Sequence, residues 1–190
     1  MPNRIVSYFN RIEPLTDKEK EAILDGIKVV QFKKGEFLIK AGQYLRQTYF
    51  VLEGCVRQYF IVDGIEKTTN FFVEDQWILS TGDPNDVKPS NFSLRFIENT
   101  LLVVGDEERS KALLSQFPKF QDLSRRAIQN EYDRQRELSE LLITKTPEQR
   151  YSYILERQPG LIDRIPLYHL ASYIGITPES LSRIRKRLAT

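Results

Sequence analysis

Near the C-terminus Glu179, Arg183 and Lys186 fall on one side of a helix at about 100° per residue, with Ser182 and Arg187 at the flanks of that side. Residues of these types, so spaced, can read a nucleic-acid duplex: arginine pairs bidentately with guanine, glutamate accepts from the cytosine amino group, and serine or lysine holds phosphate. The competing reading is an ordinary pair of helices whose charged face is merely solvated.

The elements that must position this face are signalled locally. Leu167, Leu170, Ala171 and Ile174 recur at the i, i+3, i+4, i+7 spacing of one apolar stripe, with Pro166 at the start. Gly175 permits a turn, Thr177 is placed to cap the next helix, and Pro178 suits its first position, where a missing N–H costs nothing. Glu179 then adds a negative charge where the helix dipole favours one. Leu181, Ile184 and Leu188 are expected to face inward. Net charge is only +2, yet Gly160 to Thr190 carries five basic residues (Arg164, Arg183, Arg185, Lys186, Arg187) against two acidic ones (Asp163, Glu179). Local segregation suits phosphate docking, because charge acts over a Debye length of about 8 Å.

The run Leu170-Ala-Ser-Tyr-Ile-Gly-Ile-Thr-Pro-Glu-Ser-Leu-Ser-Arg-Ile-Arg-Lys-Arg-Leu188 resembles the helix-turn-helix of the Crp/Fnr family of bacterial transcription regulators. The resemblance implies that Glu179 and Arg183 read bases and that Ser180 and Ser182 lie near phosphate or base edges. Thr177, Glu179, Ser180, Ser182, Arg183, Lys186 and Arg187 together form the candidate DNA-contacting set. Pro178 departs from the pattern, since several members carry there an arginine that contacts DNA, so one base contact is absent and the operator does not carry over. The chain also stops soon after Leu188, leaving no room for the hairpin wing of some relatives.

Upstream, Thr16 and Glu19 make a capping box for a helix over Asp17 to Asp25, with Leu15 as a staple to Ala22 and Ile23. Short segments rich in β-branched and aromatic residues follow at Val29–Phe32, Glu36–Ile39, Thr48–Leu52, Val56–Val62, Lys67–Phe72 and Asn91–Ile97, broken by Gly35, Gly42, Gly54 and Gly64. Asp63-Gly64 signals a type I′ hairpin. Strands at this spacing suggest an antiparallel roll or barrel. The glycine pattern of Phe32 to Gly42 and Tyr49 to Gly54 is similar to the cyclic-nucleotide-binding β-roll of the same family.

Members that take a cyclic nucleotide use a Gly-Glu pair for the ribose and an Arg-Ser or Arg-Thr pair for the phosphate. Here Ile78 and Leu79 align with the first pair and Phe92 and Ser93 with the second. A buried phosphate without its cation forfeits a charge-assisted bond worth about 1.5–3 kcal/mol. The loop Thr81–Asn91, with Asp83, Pro84, Asp86 and Pro89, adds acidic repulsion, while Lys88 and Arg95 are the alternative cations. Cyclic AMP is therefore not expected, and no cofactor is; the sensor roll takes another small apolar ligand or none. Trp77, Ile78, Leu79, Phe92 and Ser93 are the candidate pocket, with Trp77 either packed on the roll or stacked on an aromatic ligand.

After Asp106 the chain turns helical, and Pro118 starts a long helix to about Ile143. Phe120, Leu123, Ala127, Ile128, Leu138, Leu141 and Leu142 recur at helical spacing, interrupted by Glu131, Arg134 and Gln135. By the resemblance this is the dimerisation helix; otherwise it packs only on its own roll. Thr146-Pro147-Glu148 opens another helix containing Tyr151, Ile154 and Leu155, which ends before Gln158-Pro159-Gly160.

Catalysis is not expected. The one histidine, His169, reads as a surface or capping residue, and no nucleophile elbow, phosphate loop, dinucleotide fingerprint or paired metal-ligand spacing occurs. Asp83 and Asp86 read as loop carboxylates rather than a cation site. With Cys55 alone there is no disulfide framework, Cys-rich zinc site or four-thiolate iron–sulfur cluster, which sets the chain apart from the oxygen-sensing part of the family. Lacking a signal segment or an apolar run of about 20 residues, the chain is placed in the cytoplasm.

The expected α+β architecture is an N-terminal antiparallel β-roll, jelly-roll-like (a double-stranded β-helix), over 1–112, a connecting helix over 113–145 and a winged-helix-like helix-turn-helix domain over 146–190. The expected partners are double-stranded DNA, a second copy of the chain, RNA polymerase and a small-molecule effector, with no membrane. The alternative is a cyclic-nucleotide or other small-ligand-binding module whose C-terminal helices mediate protein interaction.

Overall fold

The computed structural model of the 190-residue chain describes residues 3–80, 88–105, 107–158 and 160–188. Two helices lead in, α1 (Asn3–Ile12) and α2 (Asp17–Gly26), followed by β1 (Lys28–Phe32), β2 (Phe37–Ile39), β3 (Tyr49–Glu53), β4 (Val56–Val62), β5 (Ile65–Phe72), β6 (Trp77–Ile78), β7 (Ser93–Phe96) and β8 (Thr100–Val104). They form two four-stranded antiparallel sheets, β1-β8-β3-β6 and β2-β7-β4-β5, the expected roll. Asp63 and Gly64 both have positive φ, 51° and 76°, as a type I′ turn requires, and Val62 pairs with Ile65 across it. At Gly54 (φ 107°) a Cβ would lie 2.7 Å from the Thr100 Cα, so only glycine fits where β3 meets β8.

The strand β8 was not among the expected segments, although its run Leu101-Leu102-Val103-Val104 is that of a strand covered on both sides. Leu102 faces the roll interior with Ile39, Leu45, Val51, Val56, Phe72, Ile78, Leu94 and Phe96. Val103 faces outward with Phe50 and Leu52, under Ile5, Phe9, Phe120, Leu123 and Ala127. The helix α1 was also unforeseen; its Ile5, Val6 and Phe9 are buried on that outer face. Thr16 and Glu19 make the expected capping box on α2, and Leu15 and Ile23 are buried in one cluster.

After α3 (Glu107–Gln116), α4 runs from Lys119 to Thr144, about 39 Å at ~1.5 Å per residue. Its polar middle is not a break in a single stripe. Glu131 is buried and paired with Arg134 at 2.5 Å, and Arg134 also donates to Asn70 Oδ1 (3.4 Å) and covers the Phe72 ring. These residues clamp α4 to β5, while Ile128, Tyr132 and Leu142 are exposed.

The C-terminal helices are α5 (Pro147–Arg157), α6 (Leu161–Arg164), α7 (Leu167–Ile174) and α8 (Pro178–Leu188). Among the described residues no strand follows Val104, so no wing is seen. These helices share a core with the roll: Cys55, Phe71, Val73 and Ile97 pack with Tyr151, Ile154, Leu161, Leu170, Ile174, Leu181 and Ile184. Among the described residues no helix is long and apolar enough to cross a membrane.

Candidate nucleic-acid interface

A Schellman turn separates α7 from α8. Gly175, at φ 82°, donates to the Ala171 and Ser172 carbonyls, and Ile176 N–H reaches Ala171 O at 3.0 Å. The Thr177 hydroxyl accepts the Ser180 N–H at 3.3 Å and lies 3.2 Å from the Ser180 hydroxyl, so α8 begins where the turn chemistry places it. Leu181 and Ile184 are buried and fix the rotation of α8. Glu179, Ser182, Arg183, Lys186 and Arg187 are consequently exposed, as is Arg185, which the spacing leaves off the expected face. Leu188, expected inward, is 52% exposed: the last turn of α8 projects past the core.

The predicted set is brought together with two qualifications. Thr177 and Ser180 use their hydroxyls in the cap, with Ser180 half-buried, and Arg187 is ion-paired to Glu148 of α5. Glu179 is held below its ordinary carboxyl range by hydrogen bonds from its own backbone N–H and the Thr177 hydroxyl, and by Arg183 one turn on. It therefore stays an acceptor.

Residues with no local sequence signal hold the helices in place. The Arg150 guanidinium donates to the carbonyls of Leu142 (2.5 Å) and Lys145 (2.9 Å) at the end of α4 and of Ile174 (2.7 Å) at the end of α7, stapling two helix C-termini whose last carbonyls lack intrahelical donors. Arg164 makes a fork on Glu74, both bonds 2.9 Å, and its Nε donates to Glu98 at 3.0 Å. Burial alone would raise the Glu74 carboxyl; Arg164 and the Gly54 N–H outweigh it and hold it below its usual range. On α7 the Ser172 hydroxyl accepts the Thr68 N–H (2.9 Å) and donates to Glu66 O (3.3 Å), covering the free edge of β5. Behind that edge Arg57 is 1% exposed, bonded to Thr68 Oγ1 (2.8 Å) and Glu66 (2.5 Å) over the Tyr59 ring.

His169 is not a surface group: it is half-buried beside Tyr168, and burial, then the charge of Arg57, lower its pKa to about 4. Among the described residues no hydrogen-bond partner orients the ring. Among the described residues no group of three or more His, Cys, Asp or Glu side chains could hold a metal ion. Cys55 is fully buried, and burial raises its thiol.

The five pocket candidates are divided by strand alternation. Ile78 lies in the roll interior with Phe92 against the same cluster, and Ser93 is buried, accepting the Ala41 N–H at 3.1 Å. Trp77 and Leu79 instead line a cavity on the opposite side of the sheet, under the helices. Arg95 is exposed, bonded to Gly35 O at 3.1 Å and placed over Phe37, so it is not a cation for the interior. The expected loop carboxylates Asp83 and Asp86 lie outside the described residues.

No family model matches the chain. It is 27% identical to the fumarate and nitrate reduction regulatory protein of Vibrio cholerae, over 92% of this chain and 75% of that one. It is 25% identical to the transcriptional activator protein anr of Pseudomonas aeruginosa, over 82% and 68% of the two chains. In structure it is similar to FixK2 from Bradyrhizobium japonicum, with a TM-score of 0.66 at 20% identity, covering 86% of this chain and 84% of that one. Likeness to two transcription regulators over most of the length and the shared fold of roll, long helix and helix-turn-helix agree with one another and with the resemblance to the Crp/Fnr family of transcription regulators.

Proposed function

We propose that the chain is a homodimeric, sequence-specific DNA-binding regulator, with RNA polymerase as a partner of its DNA-bound form. The observation that carries the reading is the orientation of α8: Leu181 and Ile184 are locked in the shared core, so Glu179, Ser182, Arg183 and Lys186 are presented together to solvent. Glu179 and Arg183 serve as base readers, and Ser182 and Lys186 as phosphate or base-edge contacts.

The second copy is assigned to the outer side of α4. Ile128, Tyr132, Gln135, Ser139 and Leu142 follow the alternating four- and three-residue steps of a coiled-coil seam, and Tyr132 is 61% exposed. Two α8 helices then address major grooves about 34 Å apart on a near-palindromic site.

For the sensor, the apolar interior around Leu94, Phe96 and Ile78 supports a roll that does not take a cyclic nucleotide, since the described residues place no cation there. Titration calorimetry with cyclic AMP and cyclic GMP is expected to show no micromolar binding. Selection of bound fragments from random DNA tests the main reading: an enriched, two-fold-related motif is expected, and Arg183→Ala is expected to cost about 1–3 kcal/mol on that motif and relax one position. No enrichment, or affinity that does not fall with salt, overturns it. Tyr132→Glu is expected to yield monomers by light scattering at micromolar concentration and to weaken binding to the paired site.

A further inference from the structure

Between α1, α2, α3, α4 and the outer face of the β1-β8-β3-β6 sheet lies a cavity of about 230 Å³, with Phe9, Trp77, Leu79, Leu113, Phe120 and Ile128 among its walls. It is separate from the roll interior, which the sheet divides from it and which Leu94, Phe96 and Leu102 fill. Its size exceeds the roughly 150 Å³ that accommodates a single benzene ring and falls below the ~300–1,000 Å³ of sites for larger ligands, which suits a molecule of one or two rings.

Two features narrow the chemistry. Arg109 is the one charged residue among the described walls, and it is exposed, so the rest of the lining offers an ion no opposite charge and favours an uncharged guest. Trp77 stands in an aromatic cluster, with Phe50 at 4.9 Å, Phe9 at 5.9 Å and Tyr8 at 6.0 Å between ring centroids. Its Nε1 is buried and meets no acceptor at hydrogen-bond distance and angle among the described residues, with the Tyr8 hydroxyl beside it. A buried donor left without an acceptor costs about 1–3 kcal/mol, and a small rotation of the indole toward a guest would relieve it.

We infer that this cavity binds a small uncharged molecule of one or two rings bearing a single acceptor oxygen. Packed against the rings and bonded to Trp77, such a guest touches α4 at Ser124, Ala127 and Ile128, where the proposed seam begins. Its role as an effector, though not its binding, rests on the regulator reading above.

Trp77 is the sole tryptophan, so a ¹⁵N-labelled chain gives one indole N–H resonance. The probes are 1-tetralone, which carries an acceptor, and tetralin, which does not. A saturable downfield shift of the indole proton is expected with 1-tetralone, and about 2- to 10-fold weaker binding is expected for tetralin, one net hydrogen bond apart. Leu113→Trp, which fills the cavity, is expected to abolish the response; because it adds a second indole, its Trp77 resonance is assigned by comparison with the parent spectrum. Should that variant misfold, Ser124→Phe narrows the same cavity from α4. No saturable shift up to millimolar 1-tetralone, or an unchanged one in a folded cavity-filled variant, overturns the site. Equal affinity for both probes overturns the acceptor assignment. DNA affinity measured with and without 1-tetralone reads the effector role separately: unchanged affinity with the indole shift intact removes the effector role, and no DNA binding in either condition removes the regulator reading and leaves the site.

Discussion

Replacing Arg164 with alanine is expected to loosen the helix-turn-helix from the roll. Arg164 bridges α6 to Glu74 and Glu98, and its side chain is 28% exposed while theirs are 22% and 31%. Exposed ion pairs contribute about 0–1 kcal/mol and the breaking of fully buried ones costs about 3–5 kcal/mol, so this partly covered fork belongs near 2–3 kcal/mol. The truncation also leaves two carboxylates facing each other beside the buried Cys55, with Glu74 still bonded to the Gly54 N–H at 2.8 Å. At 1.4 kcal/mol per factor of ten, the docked arrangement loses about 30-fold or more of its advantage. Urea unfolding followed by circular dichroism gives the stability change, and limited proteolysis reports exposure of the segment around α6. A double-mutant cycle with Glu74→Gln isolates the pair, for which about 1 kcal/mol or more of coupling is expected. A loss under 0.5 kcal/mol for Arg164→Ala, the range of an ordinary surface substitution, would falsify the reasoning.

Arg150→Ala is expected to cost about 2 kcal/mol and to weaken DNA binding in fluorescence anisotropy although Arg150 is not on the reading face, because three carbonyls lose their shared donor; Arg150→Lys should restore only part, since an ammonium cannot fork between them. Acid should undo the docking in stages. With the His169 pKa at about 4 against an ordinary 6.5, the unfolded chain binds a proton between those values that the folded chain does not, so stability falls as pH drops through that window. Glu74, held low, contributes stability above its ordinary value that is lost on further acidification. His169→Gln should flatten the upper part of the profile, and an imidazole titrating near 6.5 by NMR in the folded chain counts against the burial argument.

Much of this was legible because its causes are local. The Thr16, Thr146 and Thr177 caps, the Asp63-Gly64 turn and the Gly175 turn are set by a few adjacent residues, and each forms where its chemistry predicts. The exposed face of α8 follows from helical periodicity alone. Ile5, Val6, Phe9 and Ile12 have helical spacing and Leu101 to Val104 is an apolar run, so α1 and β8 carry local signals in the sequence. The Arg164 fork and the Ser172 cap on β5 join residues 66 to 106 positions apart, and no window along the chain displays such partners. In α4 Glu131 and Arg134 interrupt a single apolar stripe because the helix has two apolar sides, one packed on the roll and one exposed. The candidate pocket split for a similar reason: neighbours in a strand face opposite ways, and alignment by sequence position does not respect that alternation.

Cys55 sits where the sheet and the C-terminal helices meet, inaccessible and with its ionisation suppressed by burial. A chain with a single thiol at that seam carries its own clock. An electrophile can strike only during the intervals when the two halves part, so the rate of modification counts those partings without any introduced label. Whatever steadies or loosens the contact, be it a guest, a duplex or a second copy, can then be timed at one sulfur atom.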